Sequence, residues 1–187
     1  MRKERKFLIV LVLLIIILVY SIFQYNRLVS LDQKVKLSWA QVENVYQRRN
    51  DLIPNLVEIV KGYAKHEKEL FIQVTEARTK WQNAKSISEK EIAAGEIDRV
   101  IGKLLFVVEN YPQIKASTNF LSLQDELAGT ENRIAVERRR YNLAVEEYNK
   151  NAKAFPNFIF VRIFGFDREK NYFQATEESQ KPPQIKF

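Results

Sequence analysis

The sequence predicts an all-α protein, with an N-terminal transmembrane helix followed by an antiparallel up-down four-helix bundle of long helices. Three observations carry this. Residues 7–25 read FLIVLVLLIIILVYSIFQY, with no ionisable group except tyrosine. Beyond them, apolar residues recur in steps of three and four, the period of a helix with one buried face. The 187 residues include only 5 Gly and 5 Pro, too few for the frequent turns of a sandwich, barrel or propeller. This length suits one domain plus an attachment.

Residues 1–6 form a basic cytoplasmic tail, with Arg2, Lys3, Arg5 and Lys6 against Glu4. Residues 7–25 rise by about 28 Å as a helix, close to a hydrocarbon core of about 30 Å, and are expected to span a bilayer. A cleaved signal peptide is the competing reading. It is disfavoured because the apolar run is long and no small-x-small site follows it. After the span come only Arg27, Lys34 and Lys36 as cations before residue 43, so the charge bias puts the N-terminus in the cytoplasm and the bundle outside it. Tyr20, Phe23 and Tyr25 are expected at the outer interface.

The bundle is expected over 26–156. Leu28, Leu31, Val35, Ser38, Val42 and Val45 give a first stripe, widened by Trp39 and Tyr46, on a helix continuing directly from the span. At Arg48-Arg49-Asn50-Asp51-Leu52-Ile53-Pro54-Asn55-Leu56 a turn is expected, because Pro54 lacks an N–H and disfavours helix at Ile53. A second stripe follows through Leu56, Val60, Tyr63, Leu70, Val74, Ala77 and Trp81. Ser86 with Glu89 and Ser88 with Glu91 are overlapping capping boxes that would start a third helix. That helix uses Ile97, Val100, Leu104, Val107 and Tyr111, and Pro112 ends it. The fourth runs through Phe120, Leu123, Leu127, Ile134, Tyr141, Val145, Tyr148, Ala152 and Phe155, ended by Pro156.

Residues 157–173 form an aromatic C-terminal segment with two open readings. It folds over one end of the bundle, or it meets the membrane through Phe158, Phe160, Arg162, Phe164 and Phe166. Folding back is the preferred reading, and an antiparallel path of four helices, which returns to the bilayer, adds weight to the second without deciding for it. Residues 174–187 are polar, contain Pro182-Pro183 and are expected to be disordered.

Catalysis has no visible seat, and no enzyme activity, cofactor, metal or small-molecule substrate is expected. There is no Cys and a single His, His66, which rules out a pair of Glu-x-x-His motifs for a di-iron site. His66-Glu67 lacks the second His of the zinc motif, since position 70 is Leu. The glycines are scattered and cradle no phosphate. Net charge is +7, yet Arg138-Arg139-Arg140 spray around a helix at about 100° per residue and make no phosphate-tracking stripe. No nucleic acid is expected. Glu67, Asn132, Arg138 and Asn142 lie on or beside apolar stripes, where they either fix register by hydrogen bonds or face a partner.

The run Arg48 to Glu58, with Val60 to Tyr63, His66-Glu67 and Ala77-Arg78, resembles the LemA family. The likeness extends to Tyr25-Asn26, Leu28-Val29, Glu109 to Pro112, Leu121 to Leu127, Glu131 to Ala135, Tyr141-Asn142, Tyr148-Asn149, Phe155-Pro156, Phe164 to Phe166 and Tyr172-Phe173. It covers nearly the whole chain, and RRNDLIPNL is specific. Asn50 within the arginine motif and the Lys-rich end are minor departures. The resemblance implies a bacterial membrane protein with one N-terminal span and a helical-bundle domain. Relatives are linked with membrane proteases or with organising internal membranes, and the family supplies no catalytic residue.

Arg48, Arg49, Asp51, Pro54, Asn55, Lys61, Tyr63, His66 and Glu67 are therefore candidates for a structural corner or a partner contact. In the corner reading Asp51 and Asn55 cap one helix start, while Arg48 and Arg49 donate to carbonyls at the preceding helix end. The corner would stand roughly 40 Å above the bilayer, by the helical rise. The expected function is a membrane-anchored, non-enzymatic scaffold or adaptor of the bacterial plasma membrane. Its expected partners are lipid through the span and either an envelope protein or a second copy. The alternative is a membrane-shaping or lipid-binding protein acting through the aromatic segment.

Overall fold

The computed structural model describes residues 2–64 and 66–173, so the expected disorder at 174–187 lies outside the described residues. The described residues are all-helical, without strands. The elements are α1 (Arg2–Tyr63), α2 (Lys68–Asn83), α3 (Ile87–Glu109), α4 (Pro112–Lys115), α5 (Thr118–Lys153) and α6 (Asn157–Phe164). They group into two compact units, one from residues 2–40 and 139–172, the other from 41–138 and Phe173.

The long first helix corrects the expected turn. α1 runs for 62 residues with Pro54 inside it. Val42, Tyr46, Arg49, Ile53, Leu56 and Val60 are all buried, and their alternating steps of four and three form one stripe straight through the proline. Pro54 removes one hydrogen bond, to the Asn50 carbonyl, and crowds the preceding turn. Six buried side chains on one face outweigh that. The second stripe is accordingly divided: Leu56 and Val60 belong to α1, whereas Leu70, Val74, Ala77 and Trp81 are buried on α2. The true break is at 64–67, where Ala64 N–H closes on the Val60 carbonyl at 2.8 Å and Glu67 N–H on the Ala64 carbonyl at 3.2 Å.

Other boundaries follow local chemistry. Ser86 caps α3, its hydroxyl accepting from Glu89 N–H at 3.1 Å while the Glu89 carboxylate accepts from Ser86 N–H at 3.3 Å. Pro112 does not close α3, which stops at Glu109; it opens the single turn α4, where its missing N–H costs nothing. On α3, Val108 is buried and Val107 only half so. α6 ends at Gly165, whose φ of 72° is left-handed, a conformation glycine adopts without a Cβ penalty.

In the unit built from 41–138 and Phe173, α2 and α3 pack as a hairpin. The buried Trp81 ring lies 4.9 Å from that of Tyr46, and Lys90 Nζ sits 4.6 Å above Trp81. Phe173 stacks on Tyr46 at 6.4 Å, with the Arg138 guanidinium 3.9 Å above its ring.

In the unit built from 2–40 and 139–172, Trp39 meets the buried Tyr141 edge-on at 5.4 Å. The stretch 166–172 has no regular secondary structure. Side chains of α5 hold it instead. Tyr141 Oη donates to the Asn171 carbonyl at 3.0 Å and Tyr148 Oη to the Asp167 carbonyl at 2.7 Å. The Asn149 amide both accepts from Lys170 N–H at 2.7 Å and donates to the Lys170 carbonyl at 2.9 Å.

Candidate functional site

The structure separates the residues expected at one corner into four settings. Asp51 and Asn55 are exposed in mid-helix and cap nothing. Asp51 accepts from Gln47 Nε2 at 2.8 Å, one turn back. Lys61 and Tyr63 occupy the last turn of α1, with Lys61 Nζ 5.4 Å above the Phe71 ring. His66 is exposed in the turn, and Glu67 precedes α2 without a capping hydrogen bond. Arg48 and Arg49 lie three turns earlier. They do not donate to a helix terminus, because no helix ends beside them.

Their partners are carboxylates on other helices. Arg48 Nη2 donates to Glu126 Oε1 of α5 at 2.9 Å, on the surface. Arg49 is only 2% exposed; its Nη1 pairs with Asp98 of α3 and, at 2.9 Å, with Glu131 of α5. Its Nη2 reaches the Ala94 carbonyl at 3.5 Å, and its guanidinium lies 4.9 Å from the Tyr46 ring centre. One buried cation thus ties α1 to α3 and α5, and it forms part of a cleft of about 520 Å³ that also takes in Gly102, Leu105 and Ala128. Burial pushes the Tyr46 phenol up to about 12, although Arg138 and Arg49 pull the other way. The Arg49 Nε and both amide atoms of the fully buried Asn50 have no hydrogen-bond partner, an unusual cost for an interior. Asp98 and Glu131 were not anticipated from the sequence. The one available signal was that Asp98 directly follows the stripe residue Ile97 and that Glu131 lies one turn before the stripe residue Ile134.

A second charged cluster, also unanticipated, centres on Lys170. Its Nζ pairs with Asp32 at 2.8 Å and Asp167 at 2.6 Å, and Lys36 joins Asp32 at 2.8 Å. Burial alone would raise the Asp32 carboxyl, but hydrogen bonds and charge from Lys170 and Lys36 hold it below the ordinary value. Burial lowers Lys170 less than its two carboxylate partners raise it, so its pKa is raised.

The aromatic segment divides by face. Phe160 lies on Tyr20 at 5.7 Å, and Phe164 and Phe166 lie on Tyr25 at 5.1 and 5.9 Å. Phe158 and Arg162, on the other side of α6, are exposed. Of the polar seam residues, Asn132 faces outward, whereas Arg138 covers Phe173. Among the described residues no cluster of His, Asp or Glu is arranged to hold a metal ion.

A profile described as LemA family matches residues 38–187. The chain is similar to magnetosome protein MamQ 1 and MamQ 2 of Paramagnetospirillum magneticum, at 26% identity over 86% of this chain and 68% of theirs. It is similar to protein LemA of Metamycoplasma hominis at 26% identity, over 81% of this chain and 71% of that one. The arginine run and the helices beyond it fall within the matched residues, and the chain belongs to the LemA family.

Proposed function

We propose that the chain is a membrane-anchored, non-enzymatic scaffold or adaptor of the bacterial plasma membrane. Its N-terminus is cytoplasmic, and its helices form an up-down bundle outside the cytoplasm that presents a surface to an envelope protein or a second copy. The observation that carries this reading is α1: one uninterrupted helix holds both an apolar stretch long enough to cross a bilayer and the residues that Arg49 locks to α3 and α5. The relatives' names state no reaction, which agrees with a non-enzymatic role. The test is a photoreactive residue at the exposed Asn55, crosslinked in whole cells, beside co-purification in mild detergent. A distinct protein adduct is expected; the absence of any protein or self adduct in both experiments overturns the reading.

A second reading, a membrane-shaping or lipid-binding protein acting through 157–173, is favoured by the packing of α6 on Tyr20 and Tyr25. Vesicles carrying the full chain should change diameter relative to those carrying Phe158→Ser/Ile163→Ser. Equal diameters count against it.

A further inference from the structure

α6 is apolar on two sides. Phe160, Val161 and Phe164 turn inward, the two phenylalanines onto Tyr20 and Tyr25 and Val161 into the interior. Phe158, Ile159 and Ile163 turn outward, Ile163 being 68% exposed, and Phe155 just before them is 82% exposed. A helix apolar all round is stable only where both faces are covered. What covers the outer face is set by its neighbour. Tyr20 and Tyr25 close the apolar stretch of α1, whose side chains from Phe7 to Val19 are all exposed. The apolar medium that takes up those side chains reaches α6 as well.

The outward face is also charged in one place. A cleft of about 670 Å³ is lined by Phe158, Ile159, Ile163, Lys153, Arg162, Arg168 and Glu169. Glu169 is engaged by Lys153 at 2.6 Å. Among the described residues, Arg162 and Arg168 have no ion-pair partner. Two free guanidinium groups beside an apolar trough match a phosphate carrying acyl chains, since the planar fork binds phosphate oxygens bidentately and the stem lies along apolar surface.

We propose that this cleft is a site for an anionic phospholipid, its headgroup phosphate between Arg162 and Arg168 and an acyl chain along Phe158, Ile159 and Ile163. The inference rests on residues 7–25 being a span and deepens the lipid-binding reading by naming the lipid class and the residues. Each arginine near an anionic surface is worth roughly a fivefold change in binding.

Native mass spectrometry of the detergent-solubilised full chain, titrated with phosphatidylglycerol or phosphatidylcholine of matched acyl chains, tests it. Retention of phosphatidylglycerol about 25-fold over phosphatidylcholine is expected, about fivefold for each arginine. Arg162→Gln/Arg168→Gln should abolish the preference, Phe158→Ser/Ile163→Ser should weaken retention of both lipids, and the equal charge loss Arg133→Gln/Arg139→Gln on exposed α5 should change neither. Equal retention of both lipids by the native chain, the same loss in the α5 control, or displacement by millimolar inorganic phosphate overturns the site. Alkaline carbonate extraction of cell membranes separates the two levels. If the chain is released, the span reading falls and the site with it; if the chain stays and the preference is absent, only the site falls.

Discussion

Replacing the two carboxylates that face Arg49 should cost more than replacing Arg49 itself. The guanidinium is 2% exposed, whereas the side chains of Asp98 and Glu131 are 51% and 58% exposed. In Asp98→Asn/Glu131→Gln a buried charge loses both counter-ions, a loss of about 3–5 kcal/mol for an uncompensated ion. Water at the half-open rim and the Ala94 carbonyl at 3.5 Å bring that to about 3 kcal/mol. In Arg49→Met the charge goes, an apolar stem still covers Tyr46, and Glu131 hydrates. Asp98, whose carboxyl burial already pushes up, relieves its lost partner by hydrating at its exposed side or taking a proton. That should cost about 1 kcal/mol, since exposed charges need no partner. Urea unfolding of the full chain in micelles measures both, with Trp81 as the probe. Trp81 is 2% exposed against Tyr46 in the same unit, and Trp39→Phe removes the other indole. If Arg49→Met loses as much stability as the double carboxylate variant, the argument from unequal burial is wrong.

Pro54→Ala restores an N–H to the Asn50 carbonyl inside α1 and should raise stability by about 1–3 kcal/mol; a lower melting temperature would show that the proline is needed for packing. Asp32 has a folded-state pKa held below its ordinary value by Lys170 and Lys36. Its stabilising contribution is therefore complete above the ordinary carboxylate pKa of 3.8 and is lost as pH falls through the depressed one. Asp32→Asn should flatten that acid limb in a series of melts, and an unchanged limb would remove Asp32 from the account. Ser86→Ala breaks the capping box at α3 and should cost about 1 kcal/mol; no loss in urea midpoint would mean that the α2–α3 packing alone fixes this helix start.

The parts legible in the sequence are those whose cause is local. The Ser86 and Glu89 box is three residues long, and α3 starts where that spacing says. The apolar run at 7–25 and most of the stripes on α3 and α5 need only a count of period; the count overran at the end of the fourth stripe, since α5 stops at Lys153 and Phe155 is exposed. Pro54 was misleading because its effect on one hydrogen bond is local, while the burial of Ile53, Leu56 and Val60 that overrules it depends on other helices. The real break at 64–67 carries no proline and no side-chain cap, so nothing in its composition announces it. The carboxylates around Arg49 lie 49 and 82 positions away, and Lys170 lies 138 positions from Asp32. Position along the chain holds no information about which of the 23 acidic residues arrives beside a given cation.

The stretch 166–172 lies against α5 with three of its carbonyls and one of its N–H groups taken by Tyr141, Tyr148 and Asn149. An extended segment usually finds those partners in a neighbouring strand, and when it lacks one it offers an edge on which other chains can build. Here a single amide, Asn149, imitates the paired donor and acceptor of a strand, and two phenols supply further donors. Those backbone groups are thereby withheld from pairing with the strand of another chain.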